Sequence, residues 1–542
     1  MNIKAKNWMI PLVVASLFGT QSAGAIAGER ESLEEVRATT MSLIELLVQE
    51  GVLSKEKADT LLQQAQQAKQ KAKEEAEALA AQNPQPMDQA VAGQPKAIRV
   101  QYVPEHVKNE MRAEIEQDVM KKLNYKAGER LGIPEWIDRI EWTGALRLRY
   151  QQDMFSDSNA IPGALASSDV QNIDVNNTTE DRQRQRVRAF FGANIHINDW
   201  LDGGIRFTTG MLQTPVTPNQ TEGFSQGKFV FGLDRAFLEA KPYDWLTLTG
   251  GRFANPFFTG NQVFNTDLLW DPDLAFDGFV ARANPAINRH WKLFSSVGAF
   301  PIEEVESSNT NKAGDKWLYA AQGGIEWTAS NDSKVKLGVA YYDFKNVEGE
   351  RNPLNDSLKY AGTVPLWRQK GNHTFSINDG ATNGSLCNAG GLCGLASQFQ
   401  LINFTGEVDL AVFDPVHVIL HGAYVQNIGF DEKEIQRRTG NTYKKENEGY
   451  ELALMVGHPM IKKLHDWQVF GGYRRLEADA MLDGFTDSNF RLGGTDAKGF
   501  YVGAQYGVGK NAWLSSRYVS ADEISGMPFS VDTFFVDFNG RF

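Results

Sequence analysis

Two cysteines and eight histidines in 542 residues leave this chain without a disulfide framework and poor in metal ligands. Cys387 and Cys393 share one Gly/Asn-rich stretch, and no second Cys or His pair stands at zinc-ligand spacing. In an oxidising compartment the two thiols are expected to close a small loop. Long apolar runs are missing as well. After the first 25 residues nothing approaches the ~18 consecutive apolar residues of a membrane helix, which excludes a helical membrane protein. An excess of positive charge is also absent. The formal net charge of −12 argues against a general nucleic-acid binder. Gly-rich phosphate loops, clustered metal ligands and basic-aromatic surfaces are not found, so neither a cofactor nor a nucleic-acid partner is expected.

What is present starts with a secretory signal over residues 1–25. Lys4 and Lys6 precede an apolar core from Trp8 to Phe18, and Ala23-Gly24-Ala25 offers a small-residue cleavage site. Residues 26–81 carry apolar side chains at helical spacing, first Leu33, Val36, Leu43, Leu47 and Val48. Gly51 interrupts the pattern and Ser54 can cap a second helix. There Ala58, Leu61, Ala65, Ala68, Ala72, Ala76 and Leu79 form a thin seam, compatible with a coiled coil or with one solvated helix. Residues 82–98 read as a Gln/Pro/Gly/Ala linker. Residues 99–138 hold an amphipathic helix with Val107, Met111, Ile115, Val119 and Leu123 on one stripe.

From residue 139 to residue 542 the period changes to two. Ile140, Trp142, Leu146, Leu148 and Tyr150 alternate with Arg139, Glu141, Thr143, Arg147 and Arg149. Val187, Ala189, Phe191, Ala193, Ile195 and Ile197 likewise alternate with Arg186, Arg188, Asn194 and His196. A mean hydropathy of −0.38 suits this pattern, because a spanning strand needs only about 9–11 residues, half of them polar. Seven short connections alternate with eight long ones, which makes sixteen strands with both barrel ends on the short-turn side. Outer-membrane barrels keep short turns in the periplasm and long loops outside. Trp142, Trp200, Trp245, Trp291, Trp327, Trp467 and Trp513 lie beside the barrel start or a short turn, as an interfacial aromatic girdle requires. The expected fold is an all-β transmembrane barrel of sixteen antiparallel strands (fourteen to eighteen fit the pattern) behind an N-terminal helical, coiled-coil periplasmic extension.

Several motifs resemble the putative porin family of Gram-negative bacteria. They are Tyr102-Val103-Pro104-Glu105, Pro134-Glu135-Trp136-Ile137-Asp138-Arg139-Ile140 and Leu146-Arg147-Leu148-Arg149-Tyr150. Leu233-Asp234-Arg235-Ala236-Phe237-Leu238-Glu239 and Trp245-Leu246-Thr247-Leu248 leading into Gly251-Arg252-Phe253 fit as well. The resemblance implies an outer-membrane channel for small solutes or ions, assembled as a homotrimer as similar porins are, in contact with membrane lipid and lipopolysaccharide. The terminal Phe542 resembles the signal that the barrel-assembly machinery reads.

Arg147 and Arg149 share one face of the first strand, and Arg182, Arg184, Arg186 and Arg188 one face of the second. Facing lipid, each cation near the midplane would cost roughly 2–4 kcal/mol. The six are therefore expected to line the lumen, with Arg182 at the outer rim. The third long loop carries Asp267, Trp270, Asp271 and Asp273. Similar porins fold this loop into the barrel, where its carboxylates would face the arginines across a constriction. Two other readings remain. The periplasmic helices could tether the outer membrane to the cell wall. A barrel-type lipid hydrolase would need a serine beside His417, His421, His458 or His465, and none stands in a nucleophile motif.

Overall fold

The structure is a computed structural model that describes residues 135–166, 177–260, 266–378, 387 and 391–542. The signal, the segment 26–81, the linker 82–98 and residues 99–134 lie outside the described residues. A 3-10 turn, Glu135–Arg139, leads into the barrel.

Among the described residues sixteen strands form the wall. In chain order they are β1 (Ile140–Phe155), β2 (Arg182–Asn198), β3 (Leu201–Thr209), β4 (Phe231–Tyr243), β5 (Leu246–Ala254) and β6 (Ala275–Ala283). There follow β7 (Trp291–Glu303), β8 (Lys316–Thr328), β9 (Lys334–Lys345), β10 (Gln400–Phe413) and β11 (Val416–Asn427). The last are β12 (Glu448–Gly457), β13 (Trp467–Leu476), β14 (Ala497–Gly509), β15 (Ala512–Glu523) and β16 (Val531–Arg541). Each pairs antiparallel with the next, and β1 pairs with β16 from Ala145↔Arg541 to Phe155↔Val531, which closes the sheet. Closure removes the unpaired edges that lipid would not tolerate. At the seam the Phe542 ring fills the space a side chain at Gly144 would need, and the two backbones exchange hydrogen bonds of 3.0 and 2.9 Å.

The alternation of side chains sets inside from outside. On β1, Leu146 and Leu148 are exposed to the surroundings, whereas Arg147, Arg149, Gln151 and Asp153 are buried. Phe191, Leu337, Val339, Phe404, Leu452, Leu454, Val502 and Val536 belong to the same outer face. Trp142, Trp200, Trp245, Trp291, Trp327 and Trp467 ring the short-turn end on the outside. Trp513 departs from that expectation. Its neighbour Leu514 takes the outer face of β15, so Trp513 turns inward, beneath the Arg541 guanidinium at 5.3 Å. Tyr319, Tyr341, Tyr450, Tyr473 and Phe500 mark the opposite rim.

The barrel is not an empty tube. One apolar cluster lies inside it, joining Phe253, Phe276, Phe300 and Tyr342 of the wall to Leu268, Leu269 and Trp270 of loop 3 (255–274) and to Met481 and Leu482 of loop 7 (477–496). A second joins Met455, Phe470, Tyr501 and Phe535 to Phe490 of loop 7. Such clusters arise because apolar loop residues find no lipid and must cover one another away from lumen water.

Candidate functional site

The register of β1 and β2 sets arginine against arginine: Arg147↔Arg188 and Arg149↔Arg186, with Gln151↔Arg184 and Asp153↔Arg182 above them. Like charges side by side repel, and three of the six guanidiniums take a carboxylate partner. Arg149 grips Asp537 of β16 through two bonds of 2.7 and 2.8 Å and donates a third, 2.8 Å, to Asn489 of loop 7. Such a forked contact is the strongest neutralisation an arginine receives. Arg184 pairs with Asp153 at 2.6 Å and Arg188 with Asp273 at 3.0 Å. Arg182, at the rim, is exposed.

Arg147 and Arg186 differ from these. Arg147 donates to Asn219 Oδ1 at 2.5 Å, and Arg186 donates to Gln151 Oε1 at 3.1 Å. Among the described residues neither takes part in an ion pair. An amide oxygen satisfies a donor without cancelling its charge. Asn219 is delivered by loop 2 (210–230), whose Gln220–Thr221 pairs as a short strand with Val187 and Arg186. That loop also had no periodicity to reveal it.

Four more arginines follow on β3 to β6, two of which, Arg235 and Arg252, stand in the family-like strings. Arg206 and Arg235 meet Asp234, Arg252 meets Asp277 at 2.9 Å, and Arg282 meets Glu239 at 2.5 Å. The Phe190 ring supports both Arg188 and Arg206, at 4.7 and 4.3 Å, an arrangement favourable to cations.

Loop 3 folds inward and follows the wall. Ser296 Oγ of β7 donates to the Pro256 carbonyl at 3.1 Å, and Gln322 of β8 exchanges two bonds, 2.7 and 2.8 Å, with the Phe258 backbone. Gly260 has a φ of +70°, and a Cβ there would stand 2.5 Å from His421 Nδ1 on β11. Thr266 then reaches Arg474 of β13 at 2.6 Å. The loop's acids do not all act as expected. Asp273 alone of the four named residues meets the arginines. Asp267 turns onto its own backbone, accepting from Leu269 N at 2.9 Å, and Asp271 accepts from Ser488 N of loop 7 at 2.8 Å. Trp270 is 1 % exposed and packs in the interior cluster. Backbone donors in a tight turn and an apolar niche for the indole outcompete a distant guanidinium here.

The opposing carboxylates come instead from the wall. A cavity of about 820 Å³ on the short-turn side is bounded by Arg147 and Arg188 on one flank and by Glu326, Glu407 and Asp409 on the other. In a closed barrel of sixteen strands β9 stands opposite β1, so β8 and β10 supply the facing charges. Lys336 of β9 lies between them, 4.5 Å from the Phe258 ring centre and 3.5 Å from Glu326.

A second inward element, loop 7, gave no sequence signal. Loop 5 (346–399) clamps it from outside. Asn372 donates to the Ala478 and Met481 carbonyls at 2.6 and 2.7 Å, and Lys370 Nζ donates to the Leu492 and Gly493 carbonyls at 3.0 and 2.6 Å. His373 joins Asp479 at 2.9 Å. Farther along loop 5, Cys387 and Cys393 are joined as a disulfide.

Residues 37–542 match the family described as putative porin. The chain belongs to the putative porin family. This is a family of outer-membrane channels rather than enzymes, and it places the barrel in the outer membrane. No curated protein matches the chain. Among solved structures it is similar to the outer membrane channel DcaP of Acinetobacter baumannii, at 11% identity over 74% of this chain and 96% of that one, with a TM-score of 0.37. It is also similar to Pseudomonas putida OprB, at 13% identity over 77% and 97% of the two chains and a TM-score of 0.40. A loop-deleted OmpT of Vibrio cholerae matches at 12% identity over 74% and 99%, with a TM-score of 0.37.

Loop 3 of this porin carries a titration with a clear sign. Burial pushes the Asp267 carboxyl up to about 7, against the hydrogen bonds from Leu269 N and Thr259 that favour its charge. An unfolded aspartate titrates near 3.9. The docked loop therefore binds more protons than the undocked one between about pH 4 and pH 7, and docking weakens as pH rises through that window. Asp267→Asn keeps the Oδ1 acceptor and removes the charge. The variant is expected to gain on the order of 2–4 kcal/mol over wild type at pH 8 and little at pH 4. Urea unfolding at the two pH values checks this, and an equal gain at both would refute the assignment.

Proposed function

We propose that the chain is a diffusion channel for small hydrophilic solutes and ions whose basic inner wall favours anions. The single observation that carries the reading is the pair Arg147, buried, and Arg186, half-buried, both set against amides rather than carboxylates. Charge left uncancelled beside a narrow aqueous path raises the local concentration of counter-ions and sets ionic preference. The facing acids Glu326, Glu407 and Asp409 would add a transverse field that turns dipolar solutes as they pass. The exposed Arg182 is suited to lipopolysaccharide phosphate at the rim, and a homotrimer is the assembly we expect.

Reversal potentials under a salt gradient test the reading, for wild type and for Arg186→Ala combined with Arg188→Ala. Two charges removed ~10 Å from a passing anion change its energy by about 1–3 kcal/mol. The chloride-to-potassium permeability ratio should then fall at least about fivefold. An unchanged ratio would remove the arginine wall from the conduction path.

A further inference from the structure

On the extracellular side of loop 3 lies a separate cavity of about 300 Å³, and its chemistry is unlike that of the basic wall. Trp270, Phe276, Phe300, Leu482 and Phe485 line it. Its charged neighbours are matched one to one: Lys316 with Glu303, Arg368 with Asp483, Arg252 with Asp277. Leu366 and Leu212 border it and are 85 % and 68 % exposed. Concave, mostly apolar sites with a few polar groups of this size are those that hold small organic ligands. Aromatic walls favour a ring, which they meet edge to face as well as stacked.

Arg252 supplies the polar end, because its pair with Asp277 is the solvent-exposed one of the three (side chains 33 % and 52 % exposed) and a weak bond to exchange for a ligand carboxylate. It borders this cavity and also a smaller one of about 70 Å³, which holds Asp273, the partner of Arg188. Arg252, Arg188 and Arg147 thus follow one another from the apolar cavity to the large one on the short-turn side. We propose that the apolar cavity is a binding site for the ring of a small aromatic carboxylate, whose carboxylate meets Arg252 and passes from there to the arginine wall. This deepens the anion-channel reading and rests on it for the onward path, although capture in the cavity does not.

Calorimetry on the purified, folded full chain tests the site with three probes: benzoate, acetate and benzyl alcohol. Benzoate is expected to bind at least tenfold more tightly than either of the others, since only it has both the ring and the charge. Leu366→Ser with Leu212→Ser, both at exposed positions, should weaken benzoate about tenfold. Arg252→Gln should weaken benzoate severalfold and leave benzyl alcohol unchanged. Equal affinities for benzoate and acetate would overturn the ring site, and equal affinities for benzoate and benzyl alcohol would overturn the role of Arg252. Tight benzoate binding in a channel without chloride preference would uphold the cavity and refute the conducting role of the arginines.

Discussion

Replacing Arg474 with methionine is expected to release loops 3 and 7 from the wall and to raise single-channel conductance severalfold. The guanidinium is the hub between them. It lies 3.1 Å from Glu451 of β12 and 3.6 Å from Asp487 of loop 7, and it donates to Thr266 of loop 3 at 2.6 Å. The Phe490 ring of loop 7 sits 4.9 Å beneath it. Its side chain is 3 % exposed, and those of Glu451 and Asp487 are no more so. Without the cation Glu451 and Asp487 stay buried, with Arg517 the one cation left beside Asp487, a loss of about 3–5 kcal/mol. The wall has little freedom to respond, because β12 and β13 are held by ladders on both sides. The loops do. Planar-bilayer recording and urea unfolding check the outcome, and Glu451→Gln added to the variant should restore part of the stability. Unaltered conductance together with an unaltered unfolding midpoint would show that the hub holds nothing.

Trp270→Ala attacks the same arrangement from its apolar side. The indole touches Phe276, Tyr342, Phe344 and Phe485, with ring centres 5.1, 5.3, 6.4 and 6.5 Å away. These rings come from β6, β9 and loop 7, so a single side chain fastens loop 3 to wall and neighbour alike. Truncation of a fully buried tryptophan costs about 3–5 kcal/mol, more than a backbone bond such as Asp271 N to the Phe485 carbonyl at 2.8 Å can offset. Current through the variant is expected to flicker among sublevels as loop 3 detaches and redocks. Trp270→Phe, which keeps a ring in place, should stay close to wild type. A steady, wild-type current through the alanine variant would mean that loop 3 is held by its hydrogen bonds alone.

The two halves of the site were unequally legible. The arginines of β1 and β2 could be placed on one face from spacing alone, since a period of two assigns every second residue to the same side. Their partners could not. Arg149 and Asp537 are 388 residues apart, and Arg474 and Thr266 are 208 apart. Asp267, Trp270 and Asp271 illustrate the difficulty on a smaller scale. In the sequence they are acids and an aromatic on a loop suited to a constriction, yet only Asp273 turned to the arginines. In the sequence loop 7 is merely a long connection, yet it packs against both interior clusters.

The barrel, its sixteen strands, the side on which its turns are short and the faces its strands show to lipid are all legible in the order of residues. Those features follow from a rule that acts residue by residue: a strand between oil and water must alternate, and the cost of a wrong side chain is paid at its own position. How the interior is filled, which arginines keep a carboxylate partner, and that an apolar cavity stands near them emerge from the three-dimensional arrangement alone. Loops inside a barrel obey no period, and their places are settled by contacts between residues hundreds of positions apart.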